Sequence, residues 1–482
     1  MARRAASLGT ALLLVALSHH AWAVCGRTCA SRPEGCSKEF STLAYVVTTC
    51  RVIGHGLLGA QELRVQRRGC DPTTVLRLAN PDPVPDPLGL CALVGQNHQG
   101  TASPLGGVFN RLGVTRDGTG IVFEITNAFE LVGRTPLTAE QQGFFYVRAD
   151  GTGLRRLGPP SRDPTYRIYN AAGKPAVDVK TRLAFNGDRL VAFTDLAPGP
   201  DGTETEQLFT IDLVGGERRQ VTHLTAATPP PQGVKVIEYF IFDDRGKLLF
   251  VHVRGGDKQI KRIAIDGSEL PPPHVPRGLA DDGRSRVVRS FRQSGLRFGI
   301  VGVETAGAPA NADVLFNYGS WFDLFSVLGG RHPIQLTNYR YGDTDLLAFR
   351  SHDVVFMTSA DPVGANPFHN CELFRISPLG LGVRQLTHLD QGRPSEDGCQ
   401  LNPLPGCGIK ALNAFASDES RALLYYSDCD PFGTNPDGSQ VFAMRWNGSR
   451  VRQITHTRGV TKAADGSVVE VEIPGPVAHG GR

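Results

Sequence analysis

The chain has 482 residues, of which 40% are hydrophobic and 20% charged, so it is long enough to bury a sizeable core. Its formal net charge is only +4, and no basic tract is interleaved with aromatic residues, which argues against a nucleic-acid partner. The 56 glycines and 33 prolines favour a turn-rich all-β protein over a helical one.

The N-terminal residues have the features of a secretory signal. Arginines precede the apolar stretch LGTALLLVAL (8–17), which is too short to span a bilayer, and AWA (21–23) fits a small-residue cleavage site. We therefore predict a signal peptide over 1–23. The rest of the sequence has no second long apolar run, so we expect an exported protein, periplasmic or extracellular, without a transmembrane segment.

All ten cysteines follow this signal, at positions 25, 29, 36, 50, 70, 91, 371, 399, 407 and 429. An even number of cysteines in an exported chain indicates disulfides. The first three lack the paired C-x-x-C spacing of a zinc site, so metal ligation is the weaker interpretation. The pairing cannot be deduced from spacing, although Cys399 and Cys407 are best placed to close a local loop.

A short phrase recurs along the chain, as RQVTHL at 219–224, RQLTHL at 384–389 and RQITHT at 452–457. Each copy ends a stretch with two alternating apolar runs, a Gly/Pro/Asp-rich loop and a tight glycine turn. Alternation with such punctuation indicates strands. Weaker copies fill the gaps, so the sequence predicts six four-stranded units between about residues 108 and 458.

Asp-Gly and Asn-Gly pairs recur inside these units. They stand in RADGTG (148–153), AIDGSE (264–269) and RWNGSR (445–450). Such pairs are typical of tight hairpin turns between antiparallel strands, because both residues tolerate positive φ. We interpret them as turns between strands of one sheet and not as phosphate-binding loops.

The order LLYYSD (423–428), DGSQVFAMRWNG (437–448) and RQITH resembles the TolB-type six-bladed β-propeller repeat, and the resemblance covers most of the chain after the signal. It implies an all-β fold with a six-bladed propeller over 108–458, in which each sheet buries a face against its neighbours. The third and fourth units diverge, which leaves a seven-bladed ring as an alternative.

Residues outside the propeller complete the expected organisation. We interpret 24–107 as a small Cys-rich N-terminal segment with a proline-rich connector, and 459–482 as a C-terminal tail. Closure of the ring needs a strand from another part of the chain. TTVLRLA (73–79) and VVEVEIP (468–474) are both candidates.

The recurring histidines, His223, His388 and His456, suggest a metal site at first sight. Neighbouring sheets pack about 10 Å apart, whereas zinc ligands lie about 2.0–2.1 Å from the metal. One ion therefore cannot be shared by three histidines on the rim, and we interpret the phrase as structural. In this interpretation Val, Leu or Ile at its third position points inward between sheets, and the alternate Thr and Gln face outward.

The most polar loop is SDCDPFGTNPDGS (427–439). Asp428, Asp430, Asn435 and Asp437 offer the oxygen ligands that calcium prefers. The spacing is not that of an EF-hand, and the same residue types also make ordinary turns. The loop therefore offers calcium as the one candidate cofactor, with turn chemistry as the alternative.

Catalytic chemistry is harder to find. Prolyl-oligopeptidase-like propellers carry a separate hydrolase domain with a G-x-S-x-G elbow, and the chain has neither this motif nor room for such a domain after the ring. Metal-dependent propeller enzymes use groups that converge on the central channel, for which Asn186, Glu238 and Asn413 are candidates on inner strands. A structural or hydration role explains each of them more simply, and we assign no catalytic residue.

The sequence thus predicts a non-catalytic binding or scaffold protein, acting as a monomer, that presents loops to an envelope or extracellular protein or to a glycan. The alternative is a metal-dependent propeller enzyme, of carbohydrate lyase or lactonase type, with its site in the central channel. The fold by itself does not choose between them.

Overall fold

All the secondary-structure elements whose bounds lie in the described residues are β-strands. The computed structural model describes residues 41–67, 70–79, 83–85, 91, 107–115, 117–127, 137–162, 183–186, 189–225, 237–242, 247–253, 259–271, 288–294, 298–304, 322–328, 334–337, 344–350, 353–367, 370–389, 409–410, 422–427 and 440–480. Within these residues no helix has the length and hydropathy to cross a membrane. The prediction of an all-β protein is confirmed.

The strands belong to seven antiparallel sheets among the described residues. The first strands are β1 (Thr42–Ile53), β2 (Gly56–Arg67), β3 (Thr73–Ala79) and β4 (Val84–Pro85). Sheet 1 contains β5 (Gly107–Val114), β6 (Gly120–Asn127), β7 (Gly143–Arg148) and β8 (Arg155–Gly158). Sheet 2 contains β9 (Ala184–Asn186), β10 (Leu190–Pro198), β11 (Glu204–Asp212) and β12 (Arg218–Gln220). Sheet 3 contains β13 (Ile237–Phe242), β14 (Leu248–Val253), β15 (Gln259–Ala264) and β16 (Glu269–Leu270).

The remaining strands continue the same pattern. Sheet 4 contains β17 (Val288–Ser294), β18 (Phe298–Glu304), β19 (Phe322–Leu328) and β20 (Ile334–Gln335). Sheet 5 contains β21 (Thr344–Arg350), β22 (Asp353–Thr358), β23 (Glu372–Ile376) and β24 (Arg384–Gln385). Sheet 6 contains β25 (Ile409–Lys410), β26 (Ala422–Ser427), β27 (Gln440–Arg445) and β28 (Arg452–Gln453), and the last strands are β29 (Gly459–Lys462) and β30 (Val468–Gly480).

A closing sheet joins the first and last described segments in the order β29-β30-β1-β2-β3, with β4 also paired to β2. Its central register runs from Thr42↔Gly480 to Arg51↔Glu470. β30 lies beside β5, just as the first strands of sheets 2, 3 and 4 lie beside one another. It therefore occupies the first-strand position of a sheet whose second, third and fourth strands, β1 to β3, come from the N-terminal segment, with β29 added beyond it.

This closing sheet differs from the sequence prediction of six blades preceded by a separate segment over 24–107. Sheets 1 to 6 occupy the range in which the repeats indicate six units, but residues 42–79 form three strands of a seventh sheet. Both candidate closing segments, 73–79 and 468–474, are strands of that sheet. The recurring phrase is missing from it, which is why the repeat does not reveal it.

The seven sheets pack on one another in a ring. Apolar clusters join the closing sheet to sheet 1, sheet 1 to sheet 2 and sheet 2 to sheet 3. Others join sheet 4 to sheet 5, sheet 5 to sheet 6 and sheet 6 to the closing sheet. β17 of sheet 4 contacts three strands of sheet 3. Because the last contact returns to the closing sheet, the arrangement is that of a β-propeller.

The recurring phrase closes a buried hydrogen-bonded clamp within its own sheet. In sheet 2, Gln207 Nε2 donates to Leu224 O (2.8 Å), and Gln207 Oε1 accepts from Thr222 Oγ1 and Leu224 N, both at 2.8 Å. The Thr222 hydroxyl in turn accepts from Leu208 N (2.7 Å). Gln440 makes the equivalent bonds in sheet 6. The clamp fixes the short outer strand that the phrase forms.

Sheet 5 uses a carboxylate in the same clamp. Leu389 N donates to Glu372 Oε1 (2.6 Å), and the Thr387 hydroxyl donates to Glu372 Oε2. A carboxylate cannot donate a hydrogen bond as an amide does. Asn370 Nδ2 lies 3.5 Å from Leu389 O, the carbonyl that corresponds to Leu224 O, to which Gln207 donates in sheet 2. The clamp is therefore kept with different chemistry.

The clamp also decides which side of the phrase is buried. Val221, Leu386 and Ile454 lie in the clusters between sheets, as predicted. The threonines that follow them do not face outward as expected, because their hydroxyls are bonded inside the clamp; these are Thr222, Thr387 and Thr455.

Glycines allow the turn between the third and fourth strands to touch the preceding sheet. Gly216 has φ 72°, and a Cβ there would lie 3.1 Å from Leu157 O of sheet 1. Gly448 has φ 80°, and its Cβ would lie 3.1 Å from Leu386 O of sheet 5. Both the backbone conformation and the close approach favour glycine at these turns.

Alanine substitution at Gly216 and Gly202 separates these two effects. Both residues have positive φ, 72° and 77°, but only Gly216 has a neighbour within 4 Å of its Cβ position. We expect Gly202→Ala to cost about 1–2 kcal/mol through left-handed backbone strain, and Gly216→Ala to cost more. Urea unfolding measures the difference, and equal losses would contradict a packing role for Gly216.

The clamp predicts a cost for removing one buried hydroxyl. Thr222→Val keeps the side-chain shape but deprives Leu208 N and Gln207 Oε1 of a partner, so we expect a loss of about 1–3 kcal/mol in the free energy of unfolding. The matched control is Thr225→Val, since Thr225 is exposed in the same segment. Similar midpoints for both variants in urea unfolding would show that the clamp adds no stability.

Candidate binding face

The two faces of the ring differ in the length of the connections between strands. In sheets 1 to 6, the connection from second to third strand and the connection to the next sheet leave one face, which we call the connection face. The first-to-second and third-to-fourth turns leave the other, the turn face. The eight longest connections between β5 and β28 all join strand ends at the connection face: 128–142, 159–183, 221–236, 271–287, 305–321, 359–371, 386–408 and 428–439.

The closing sheet extends beyond the ring at this face. Its strands β1 and β2 have 12 residues each, against 8 in the adjacent β5. Thr42 Oγ1 donates to Gly118 O (2.5 Å) at the turn face, whereas Gln61 Oε1 accepts from Phe109 N (2.9 Å) near the opposite end of β5. Thr48 pairs with Gln61. Because β5 begins two residues before Phe109, residues 49–50 lie level with its start, and residues 51–53 project past it by about 10 Å.

This projecting sheet, residues 49–60 and 459–472, contains more than one hairpin. β29 pairs with the first part of β30, from Gly459↔Glu472 to Lys462↔Val468, and flanks it on the side away from β1. The two hairpin tips, 54–55 and 463–467, are exposed. Because β30 takes the first-strand position of its sheet, β29 lies on the axis side of the projection.

A disulfide pins a further segment to the projection. Cys50 of β1 is bonded to Cys91, with their Cα atoms 5.5 Å apart. Both sulfurs lie in a small apolar cluster with Leu57, Val471 and Ile473. Cys70 and Cys371 are disulfide-bonded as well, whereas the pair expected to close a local loop, Cys399 and Cys407, lies outside the described residues. The bridge and cluster give the projecting sheet a core of its own.

Ion pairs cross the closing sheet on one side. Arg458 Nε lies 3.1 Å from Glu472 Oε2, and Arg64 Nη2 lies 3.9 Å from Glu472 Oε1. Arg64 also pairs with Glu62 (2.8 Å), which Arg77 approaches at 3.4 Å. Single exposed pairs contribute little, but connected charges contribute more. These connected ion pairs, which we call the ion-pair stripe, link the C-terminal strands of the closing sheet to its N-terminal strands.

A buried network anchors the start of connection 159–183, which leaves sheet 1 for sheet 2. Arg111 and Glu124 of sheet 1 are both fully buried, with Nε and Oε2 3.5 Å apart. Ser161 N donates to Glu124 Oε1 (2.6 Å), and Ser161 Oγ donates to Thr194 O of sheet 2 (2.8 Å). Ser161 is thus bonded to both sheets, to sheet 1 through its backbone nitrogen and to sheet 2 through its hydroxyl.

Aromatic rings and a second arginine complete this anchor. Asp195 of sheet 2 accepts from Arg162 N (2.5 Å) through Oδ1, and from Arg218 through Oδ2. The guanidinium groups of Arg111 and Arg218 lie 5.9 Å and 5.1 Å from the centroid of the Phe193 ring. A buried ion pair is weak evidence for stability but specifies geometry. Here it positions Ser161 and Arg162 at the connection face.

The structure separates the three histidines of the phrase. His223, His388 and His456 are exposed and belong to sheets 2, 5 and 6, at their connection-face ends. In the described part of the chain, no three His, Cys, Asp or Glu side chains are grouped so that they could hold a metal ion. The geometry agrees with a structural role for the phrase.

The other predicted site residues either lie outside the described residues or are placed only by the strand that contains them. Asp428, Asp430, Asn435 and Asp437 lie outside the described residues, so the calcium loop stays a prediction, and the same is true of Asn413. Asn186 and Glu238 belong to β9 and β13, the first strands of sheets 2 and 3. Their convergence on a channel stays a hypothesis.

The related loop of sheet 5 shows turn chemistry. Asp361 Oδ1 accepts from Ala365 N (2.7 Å) and Asn366 N (2.8 Å), while Asn366 Nδ2 donates to Asn370 O (2.8 Å). An aspartate at this position can therefore be satisfied by backbone donors. This favours the turn interpretation for the sheet 5 loop.

The anchor residues were not expected from the sequence. Arginine is almost never fully buried unless paired, and Arg111 is buried because it pairs with Glu124 of its own sheet and also donates to Thr194 O of sheet 2. Arg218 is only half-buried and pairs with Asp195 of its own sheet. The one local signal is Glu124 inside the apolar run GIVFEITN (120–127).

No family model and no curated protein matches this sequence. Among solved structures, one of two prolyl endopeptidases studied for inter-domain dynamics has 11% identity and a TM-score of 0.46, with 91% of this chain and 55% of that chain covered. The chain thus spans about half of that protein (55%). At this level of identity the likeness concerns the fold alone.

Two further structures show the range of the likeness. The β-propeller domain of the Trilobed protease from Pyrococcus furiosus has 10% identity and a TM-score of 0.40, with 76% of this chain and 93% of that chain covered. TolB from Acinetobacter baumannii has 14% identity and a TM-score of 0.32, with 75% and 66% covered. At these values, too, the likeness concerns the fold alone.

Tyr45 makes the closing sheet sensitive to alkali. It is 3% exposed in the cluster between sheet 6 and the closing sheet, and burial raises its pKa from 10.0 to about 12 although Arg64 opposes the shift. The folded chain holds this proton more tightly than the unfolded chain, so the stabilisation is complete below pH 10 and is lost as the pH rises towards 12. We expect Tyr45→Phe to lose less stability over that interval. Parallel urea midpoints for both proteins would contradict this.

Proposed function

We propose that this protein is a non-catalytic binding platform, a closed ring of seven blades whose connection face and projecting sheet receive a protein or glycan partner. The observation that carries the proposal is the concentration of the longest connections at one face. Binding residues are disproportionately found on loops that a rigid scaffold positions. The connections at the turn face are shorter, the longest being 411–421, and offer less of this freedom to vary.

The scaffold beneath the connection face supports the same function. The buried Arg111 anchor fixes the start of one connection, and the Cys50–Cys91 bridge and its cluster hold the projecting sheet. A preorganised surface loses less conformational entropy on binding. A partner would therefore meet a largely preformed surface at this edge.

We further propose that the protein acts in an oxidising compartment, the periplasm or the outside of the cell. The disulfide of Cys50 with Cys91 supports this, since disulfides are rare in reducing compartments. The signal peptide over 1–23 and the monomeric state are parts of this proposal. Calcium at the Asp428 loop is an additional hypothesis, and the platform does not depend on it.

Binding by paired charge-reversal variants tests the proposed face. The oxidised chain without residues 1–23 is used to isolate saturable ligands from an envelope extract and a glycan array. Affinity is then compared for Arg51→Glu with His55→Glu on the projecting sheet, and for Arg148→Glu with Lys247→Glu on the turn face; all four side chains are exposed. We expect only the first pair to weaken binding, by tenfold or more.

Two results would overturn the platform. Equal weakening by both pairs, with unchanged unfolding midpoints, would reject the connection face. Stoichiometric metal on the purified protein, together with turnover of a uronate polymer or lactone that EDTA abolishes, would support the enzymatic alternative. The extract used in this test should therefore be screened with and without EDTA.

A further inference from the structure

One hairpin turn recurs in four sheets with nearly the same hydrogen bonds. Its first residue is Asp150, Asp266, Asp465 or Asn447, followed by glycine and then by Ser or Thr. At Asp266, Oδ1 accepts from Ser268 N (2.9 Å) and Ser268 Oγ (2.6 Å). At Asn447, Oδ1 accepts from the N and Oγ of Ser449 at 3.0 Å and 2.6 Å. Asn447 thus holds an amide where the other three sheets hold a carboxylate.

The surroundings of the Asn447 amide favour attack on its carbon. Asn447 and Ser449 are exposed, and residue 448 is glycine, so no side chain hinders its backbone nitrogen. The two Ser449 donors lie on Oδ1, the oxygen that becomes negatively charged when a nucleophile adds to Cγ. Donors placed at a developing oxyanion stabilise it.

We propose that Asn447 is a site of spontaneous deamidation whose product is an aspartate in the same turn. The Gly448 nitrogen loses its proton to hydroxide and forms a bond to Asn447 Cγ; Nδ2 takes a proton from water, the Cγ–Nδ2 bond breaks, and ammonia leaves while hydroxide is regenerated. Water then opens the resulting five-membered imide at one of its two carbonyls. Opening at the Cα-side carbonyl gives isoaspartate, and opening at the side-chain carbonyl gives aspartate.

The fold selects between these products. Aspartate fits because Asp266 and Asp465 occupy the same turn, where hydrogen bonds from Ser268 and Ser467 lower the pKa values of their carboxyl groups. Isoaspartate lengthens the backbone beside Gly448, whose Cβ position is already 3.1 Å from Leu386 O of sheet 5. An isoaspartyl linkage would shift Gly448 where it already packs closely on sheet 5, so the folded turn disfavours this product.

One hydrogen bond opposes the reaction. Gly448 N donates to Arg445 O (2.9 Å), and this bond must open before the nitrogen can reach Cγ. Exposed turns open with small free energies compared with global unfolding. The site lies on the turn face, so the new charge leaves the proposed binding face untouched, and the proposal does not rest on that function.

Peptide mapping of the folded chain tests the proposal. The full chain is kept at mildly alkaline pH, and the amide content of Asn447 is followed by mass spectrometry beside that of Asn186, which is also followed by glycine. We expect aspartate to accumulate at residue 447 in the folded protein, and Ser449→Ala to slow it several-fold when folded but not when denatured. Retention of the amide in the folded chain, while the denatured chain converts, would overturn the proposal.

A product variant tests the selection. Asn447→Asp should unfold at a temperature equal to or above that of the unmodified chain, because the turn already suits aspartate. A clear loss of stability, or isoaspartate as the main product of the folded chain, would contradict the selectivity of the turn. The denatured chain, in which both openings are unrestrained, supplies the reference ratio.

Discussion

Antiparallel pairing of β30 with β1 is the interaction on which the ring depends. It joins segments so far apart in sequence that Ser41 Oγ donates to Gly480 O across 439 positions. Bringing such distant segments together has an entropic cost that rises slowly with length, and no single hairpin offsets it. Closure of the ring offsets this cost, because the closing sheet buries one face against sheet 1 and the other against sheet 6. In a repeat fold, each unit is stable only with its neighbours.

Within each sheet, stability also depends on polar groups placed where apolar packing ends. The outer strands are as short as two residues in sheet 5, too short to be held by a ladder of backbone bonds. The buried Gln207, Gln440 and Glu372 clamps replace that ladder. Buried polar networks of this kind are costly when incomplete and specific when complete. They explain why one phrase is retained in sheets whose loops differ.

The sequence predicted strands and turns, which depend on neighbouring residues, and missed contacts between segments that are distant in sequence. Alternating apolar runs and Asp-Gly turns indicate strands wherever they occur, and the repeated phrase marks the outer strand of a sheet. The closing sheet has no such phrase, and β1 is buried on both faces, so its run of apolar and Thr residues has no clear period. The outward orientation assigned to Thr222 was wrong because its partner, Gln207, lies on the preceding strand. The Arg111 anchor was missed for the same reason, since Thr194 belongs to another sheet.

The position of the closing sheet has a consequence for how the connection face can work. β1 and β30 run without interruption from the ring into the projection, so the projecting sheet cannot swing away unless the ring closure itself is broken. The ion-pair stripe and the Cys50–Cys91 bridge strengthen this continuity. A hinged lid needs a segment of low local stability. The projecting sheet is not such a segment, because its strands β1 and β30 are the same strands whose pairing closes the ring. The projection is therefore better suited to act as a fixed wall, against which a partner docks, than as a cover that opens and closes.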